Sequence, residues 1–77
     1  MNNDEKYSYA RYIQAVGAYH YNIHFNYRMA IKYFIRALEI SDNLKGYKSL
    51  KWSLLYHLTL CNSELGQVQE AKKISKL

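Results

Sequence analysis

Three histidines and one cysteine are the residues of this chain best suited to metal binding or nucleophilic chemistry. His20 and His24 stand four apart, so on a helix both rings face one side and could share a metal ion. The residues between them, Tyr21, Asn22 and Ile23, include no glutamate of the kind a zinc protease uses as its base. His57 lies far along the chain, and two histidines fall short of a closed zinc site. They read as packing or surface residues, and no metal site is expected. Cys61 keeps helical register with Leu50, Leu54, Leu58 and Leu65, which makes it a buried small thiol and not a nucleophile. There is no glycine-rich phosphate loop, no serine elbow and no pair of carboxylates in an apolar frame. These features point away from an enzyme, and no cofactor is implied.

A basic and aromatic group offers different chemistry. Lys45, Lys48 and Lys51 are interleaved with Tyr47 and Trp52, a mixture that can hold nucleic acid through phosphates and stacking. The formal charge of +5 agrees with an acidic partner, but no block of like charges reaches the length that marks a basic tail. A solvated basic face beside a core tryptophan is the plainer reading, so nucleic acid is not the expected partner. The chain ends Ser75-Lys76-Leu77, the tripeptide read by the peroxisomal import receptor in eukaryotes, and three common residues also meet there by chance. A single cysteine excludes an internal disulfide and fits a reducing compartment. The polar start, Met1-Asn2-Asn3-Asp4-Glu5-Lys6, has no signal-peptide core, and no window has the apolar length of a membrane span. A cytoplasmic protein without membrane contact is expected.

The elements that must position these residues are helices. Proline is absent, glycine occurs only at 17, 46 and 66, and nine tyrosines supply flat apolar bodies with polar tips. Seventy-seven residues make one domain, 1–77. A first helix is predicted from about Glu5 to His24, capped by Asn3 or Asp4. Its inward face is drawn through Tyr9, Ile13, Val16, His20 and Ile23, with Tyr12 and Tyr19 widening it. A second runs from about Tyr27 to Ser41 behind an Asn26 cap, with Ala30, Ile31, Phe34, Ala37 and Leu38 facing inward. Residues 41–46 read as a turn. A third spans about Tyr47 to Leu65, with a second apolar strip of Trp52, Leu55 and Tyr56 that predicts a helix sandwiched between neighbours. Gly66 reads as its cap, and a short fourth helix from about Gln67 to Lys76 turns Val68, Ala71 and Ile74 inward. The expected fold is therefore all-α, about four antiparallel helices forming two helix-turn-helix units.

Small residues mark a repeat in this pattern. Ala30, Phe34 and Ala37 place small, aromatic and small side chains four and three apart, and Ala71 echoes Ala30 at an offset of 41 residues. In this the chain resembles the tetratricopeptide repeat proteins, whose second helix carries that spacing. With one residue inserted before the second helix, Ile13, Val16-Gly17 and His20 fill the corresponding places in the first helix. Departures are the missing proline after Ile40, Asn62 where an aromatic belongs, Ser75 where Phe34 stood, and a period longer than the usual 34 residues. The Ala-Leu-x-Ile run and polar turn are similar to the repeat region of peptide-sensing regulators of Gram-positive bacteria and their phages.

The resemblance implies a binding role. In that family the first helix of each pair lines the concave, ligand-binding side. The matching positions here are Arg11, Gln14, Ala18, Tyr21 and Asn22, followed by Ser53, Tyr56, Leu60 and Ser63 in the third helix. Partner binding is expected at Arg11, Gln14, Tyr21, Asn22, Ser53 and Tyr56, and the partner is another protein or a peptide. Arg11 can clamp a carboxylate and Asn22 can bond a peptide backbone. A small basic regulator of nucleic acid and a structural oligomerisation subunit are the alternatives. Two repeats leave terminal apolar faces uncovered, so a homo-oligomer is expected as well.

Overall fold

The computed structural model describes residues 2–42 and 44–75, with side chains through residue 69. It holds three α-helices, α1 (Asn3–Asn22), α2 (Tyr27–Ser41) and α3 (Lys48–Ser75), and no strand among the described residues. The chain is all-α, with three helices in place of the four expected.

The first two helices each begin where a side chain answers their free N–H groups. Asn2 Oδ1 accepts the Glu5 N–H at 2.8 Å, so the cap of α1 sits one residue ahead of the expected Asn3 or Asp4. Asp4 and Glu5 then lie in the first turn, where negative charge complements the helix dipole. Asn26 caps α2 by accepting the Met29 N–H at 3.3 Å, and α2 has the expected bounds. Between α1 and α2, Phe25 takes a left-handed φ of 52° while Asn26 N–H reaches back to His20 O at 2.9 Å. This reversal carries no glycine, which is why it is poorly marked in the sequence. Gly46, at φ 90°, makes the left-handed step of the second turn, and Leu44 is buried beneath it.

α3 corrects the four-helix expectation. Gly66 does not cap a helix; its φ stays out of the left-handed region, and the helix runs through it to Ser75. Among helical positions a lone glycine costs only about 1 kcal/mol against alanine, too little to stop a helix whose hydrogen-bonded ladder continues on both sides. One hairpin and a long third helix therefore replace two helix-turn-helix units. The inward roles expected of Ala71 and Ile74, and the Ser75-Lys76-Leu77 tripeptide, fall outside the described side chains.

The core is narrow and built from small residues. Ala10, Ala30, Phe34, Ala37, Leu54 and Cys61 have no exposed surface, and Ile13 and Leu50 join them. On α1 the buried positions are Ala10, Ile13, Gln14 and Gly17, a face turned well away from the expected one. Only Ile13 belongs to both. Tyr9, Tyr12, Tyr19 and Ile23 are exposed instead. Packing explains the difference, because α1 and α2 approach closely only where α1 presents small side chains. At Gly17 a Cβ would come within 2.8 Å of the Phe34 ring. Trp52, Leu55 and Tyr56 are likewise exposed and not sandwiched, since α3 has neighbours on one side only.

Candidate functional site: a polar groove between the first and third helices

Where α1 and α3 run side by side, polar side chains make the junction. Gln14, although only 8% exposed, directs its amide across to α3. Its Nε2 donates to Ser53 Oγ at 2.7 Å and lies 3.3 Å from His57 Nδ1. An amide nitrogen only donates, so in this second contact His57 Nδ1 stands as the acceptor. The ring of His57 is held flat against Phe34, with centroids 4.8 Å apart and planes 11° apart. The fully buried Phe34 thus fixes His57, and His57 helps fix Gln14. Sequence periodicity places all three: Gln14 lies four residues past Ala10 on α1, and Ser53 and His57 are one turn apart on α3.

Above this junction opens a groove of about 290 Å³ lined by Arg11, Gln14, Ala15, Ala18, Ser53 and His57. Ala15 and Ala18 keep its α1 wall low. Arg11 stands exposed at the rim, its Nη1 donating to Tyr7 Oη at 3.3 Å. No carboxylate pairs with Arg11 among the described residues, where the ion pairs are Arg36 with Glu39 and Lys51 with Asp42. At the near end Tyr7 stacks on Tyr47 with centroids 4.6 Å apart, and Tyr47 donates its hydroxyl to Asp4 Oδ1 at 3.2 Å. That hydrogen bond, more than burial, raises the pKa of the Tyr47 phenol.

Of the six residues expected to bind a partner, the structure brings Arg11, Gln14 and Ser53 together here. Tyr21 is half-buried and lies edge-on to Tyr27 at 5.5 Å. Burial raises its phenol pKa most, and Glu64 of α3 adds to that. Tyr21 packs against the core cluster and does not line the groove. Asn22 is the exposed last residue of α1, and Tyr56 is exposed on α3 with its ring edge towards His57. Ala18, proposed with them, does line the groove. Sequence reasoning left out two lining residues, Ala15 and His57, and His57 is the one with polar chemistry. Its signal was the i, i+4 step from Ser53 on the side of α3 next to the buried stripe.

The other reactive side chains have structural partners. His20 stacks on Tyr33 at 5.3 Å and His24 meets the Tyr19 ring at 4.9 Å. No cluster of three or more metal-binding side chains occurs among the described residues. Cys61 is wholly buried, and burial, with Glu64 nearby, pushes its thiol pKa up. Less thiolate forms at any given pH, so at neutral pH a disulfide reagent should label native Cys61 at least about tenfold more slowly than the urea-unfolded chain. Equal rates in the two states would show that the thiol is open. Lys51 is engaged with Asp42 at 2.7 Å, while Trp52 beside it is 69% exposed. No helix among the described residues is long and apolar enough to cross a membrane.

No family model matches this chain, and no curated protein or solved structure matches it either.

Proposed function

We propose that the chain is a non-enzymatic binding module that holds a peptide or protein segment carrying a carboxylate in the groove between α1 and α3. The carrying observation is Arg11, exposed at the rim of a half-polar groove with no acidic partner among the described residues. A guanidinium so placed takes a carboxylate through two parallel hydrogen bonds. Ala15 and Ala18 leave room for the ligand backbone beside it. The residues of the tetratricopeptide resemblance support the reading, since Ala30, Phe34 and Ala37 are all fully buried and form the α1–α2 contact that places Arg11. On this reading the protein regulates a larger partner by occupying its acidic segment.

The test is selection of a random peptide library on the native chain, followed by titration of the enriched peptides. Arg11→Ala should weaken them about tenfold, the effect of losing roughly 1.4 kcal/mol of a charge-assisted pair. Ala18→Trp should block the groove, and Asn22→Ala should change little. Enriched peptides that lack acidic residues, or that bind Arg11→Ala and Ala18→Trp as well as wild type, would sink the proposal. The nucleic-acid reading keeps one observation in its favour, exposed Trp52 beside Lys48 and Lys51 in a shallow concavity. Its mark would be a steep fall of oligonucleotide affinity with salt.

A further inference from the structure

The outer face of α1, opposite the groove, carries Tyr9, Tyr12, Val16, Tyr19 and Ile23. Their spacing is 3-4-3-4, the repeat that keeps one seam of a helix facing a second helix. Among the described residues nothing covers it: Tyr9, Tyr12, Tyr19 and Ile23 are 42%, 65%, 52% and 60% exposed. With aromatic side chains offering about 150–250 Å² each, these four expose roughly 500 Å², as large as the largest apolar patch of a typical monomer.

Charge decides what fits this seam. The chain carries eleven lysines and arginines, yet none falls on the stripe between Tyr9 and Ile23. Arg11 projects to the opposite side, into the groove. The seam has Glu5 of the first turn at its acidic end, one helical turn ahead of Tyr9, and His20 beside it at the other end. An antiparallel copy of the same helix meets both conditions. It sets each acidic end beside the partner's histidine end, and no lysine or arginine faces another across the seam. Parallel pairing would bring the two Glu5 carboxylates together. Two copies joined this way hide roughly 1,000 Å² of apolar side chain, the lower bound for a specific interface.

We propose that the chain forms a two-fold symmetric dimer through the outer face of α1, the two helices antiparallel and crossing near Val16. Tyr12 then packs near the partner copy's Tyr19, and Tyr9 near its Ile23. The smallest side chain of the seam lies on the two-fold axis, where the helices come closest. The groove lies on the other side of α1, so each copy keeps its groove open. The dimer therefore stands or falls independently of the peptide-binding reading.

Sedimentation velocity of the native chain across the micromolar to millimolar range tests it. A shift from one to two 9.2 kDa chains is expected. Tyr12→Glu and Tyr19→Glu should each weaken the dimer at least about tenfold, since each buries two like charges at the seam. Both positions are exposed, so far-UV circular dichroism should stay unchanged. Under oxidation Val16→Cys should link two chains and Tyr9→Cys should not, with wild type, whose one cysteine is buried, as the control. A monomer at every concentration, or a dimer unaffected by both glutamates, overturns the proposal. Linkage through Tyr9→Cys, or dissociation by Leu55→Glu on α3 in their place, also overturns it.

Discussion

Phe34→Ala is expected to leave the chain unfolded or collapsed without fixed packing. Phe34 is fully buried and joins all three helices, its ring lying over Gly17 of α1 and flat against His57 of α3. Removing a buried phenylalanine costs about 3–5 kcal/mol, counting both lost transfer energy and the cavity left behind. A chain of 77 residues has only about 4–12 kcal/mol in total at the usual stability per residue. The cavity would open beside His57, so the Gln14 to Ser53 bond would loosen with it. Far-UV circular dichroism and urea titration check this, with Phe34→Leu, which keeps part of the apolar volume and is expected to lose roughly 1.5 kcal/mol, as the milder comparison. A cooperative transition for Phe34→Ala within about 1 kcal/mol of wild type would mean that the ring does not organise the core.

The second large effect is a pair of glycine substitutions with opposite signs. At Gly17 an added methyl meets the Phe34 ring at 2.8, 3.0 and 3.2 Å. That ring is pinned by His57 and cannot retreat, so the overpacking cost of about 1–3 kcal/mol exceeds the gain of up to about 1 kcal/mol that alanine brings to a helix. Gly17→Ala should therefore lower the melting temperature, and Gly17→Val should lower it further. At Gly66 nothing lies within 4 Å of the added methyl and the backbone is helical. Gly66→Ala should stabilise by about 0.5–1 kcal/mol, a rise of several degrees in a domain this small. Thermal melts of the three variants decide it. The same sign at both positions would contradict either the close approach at Gly17 or the unbroken helix at Gly66.

These two glycines also show what was legible in the sequence. α2 could be read almost completely, because a compact apolar face, an asparagine cap and a polar turn all agree within fifteen residues. α1 was legible as a helix but not in its orientation. Large residues attract the eye as core, yet here the inward face joins Ile13 to Ala10, Gln14 and Gly17, and the large residues Tyr9, Tyr12 and Tyr19 lie outside. Tyrosine is ambiguous by nature, since its ring suits a core and its hydroxyl suits water. Gly66 looked like a stop because glycine is frequent after helices, but a stop also needs a left-handed backbone, which composition does not reveal. In the groove, Arg11, Gln14 and Ser53 were legible through the tetratricopeptide resemblance, which puts those positions on the binding side. His57 was not, because its role depends on a ring on another helix, Phe34, twenty-three positions earlier in the chain.

Trp52 is the one tryptophan, and it stands 69% exposed on the side of α3 away from the core. An indole already in water emits much as it would from an unfolded chain. Loss of the fold would then pass almost unseen in tryptophan emission, while anything settling over Lys48, Trp52 and Leu55 would shift it to the blue. The protein carries its own optical label on a face that neither the groove nor the α1 seam uses, so the occupancy of that face can be followed without any added dye.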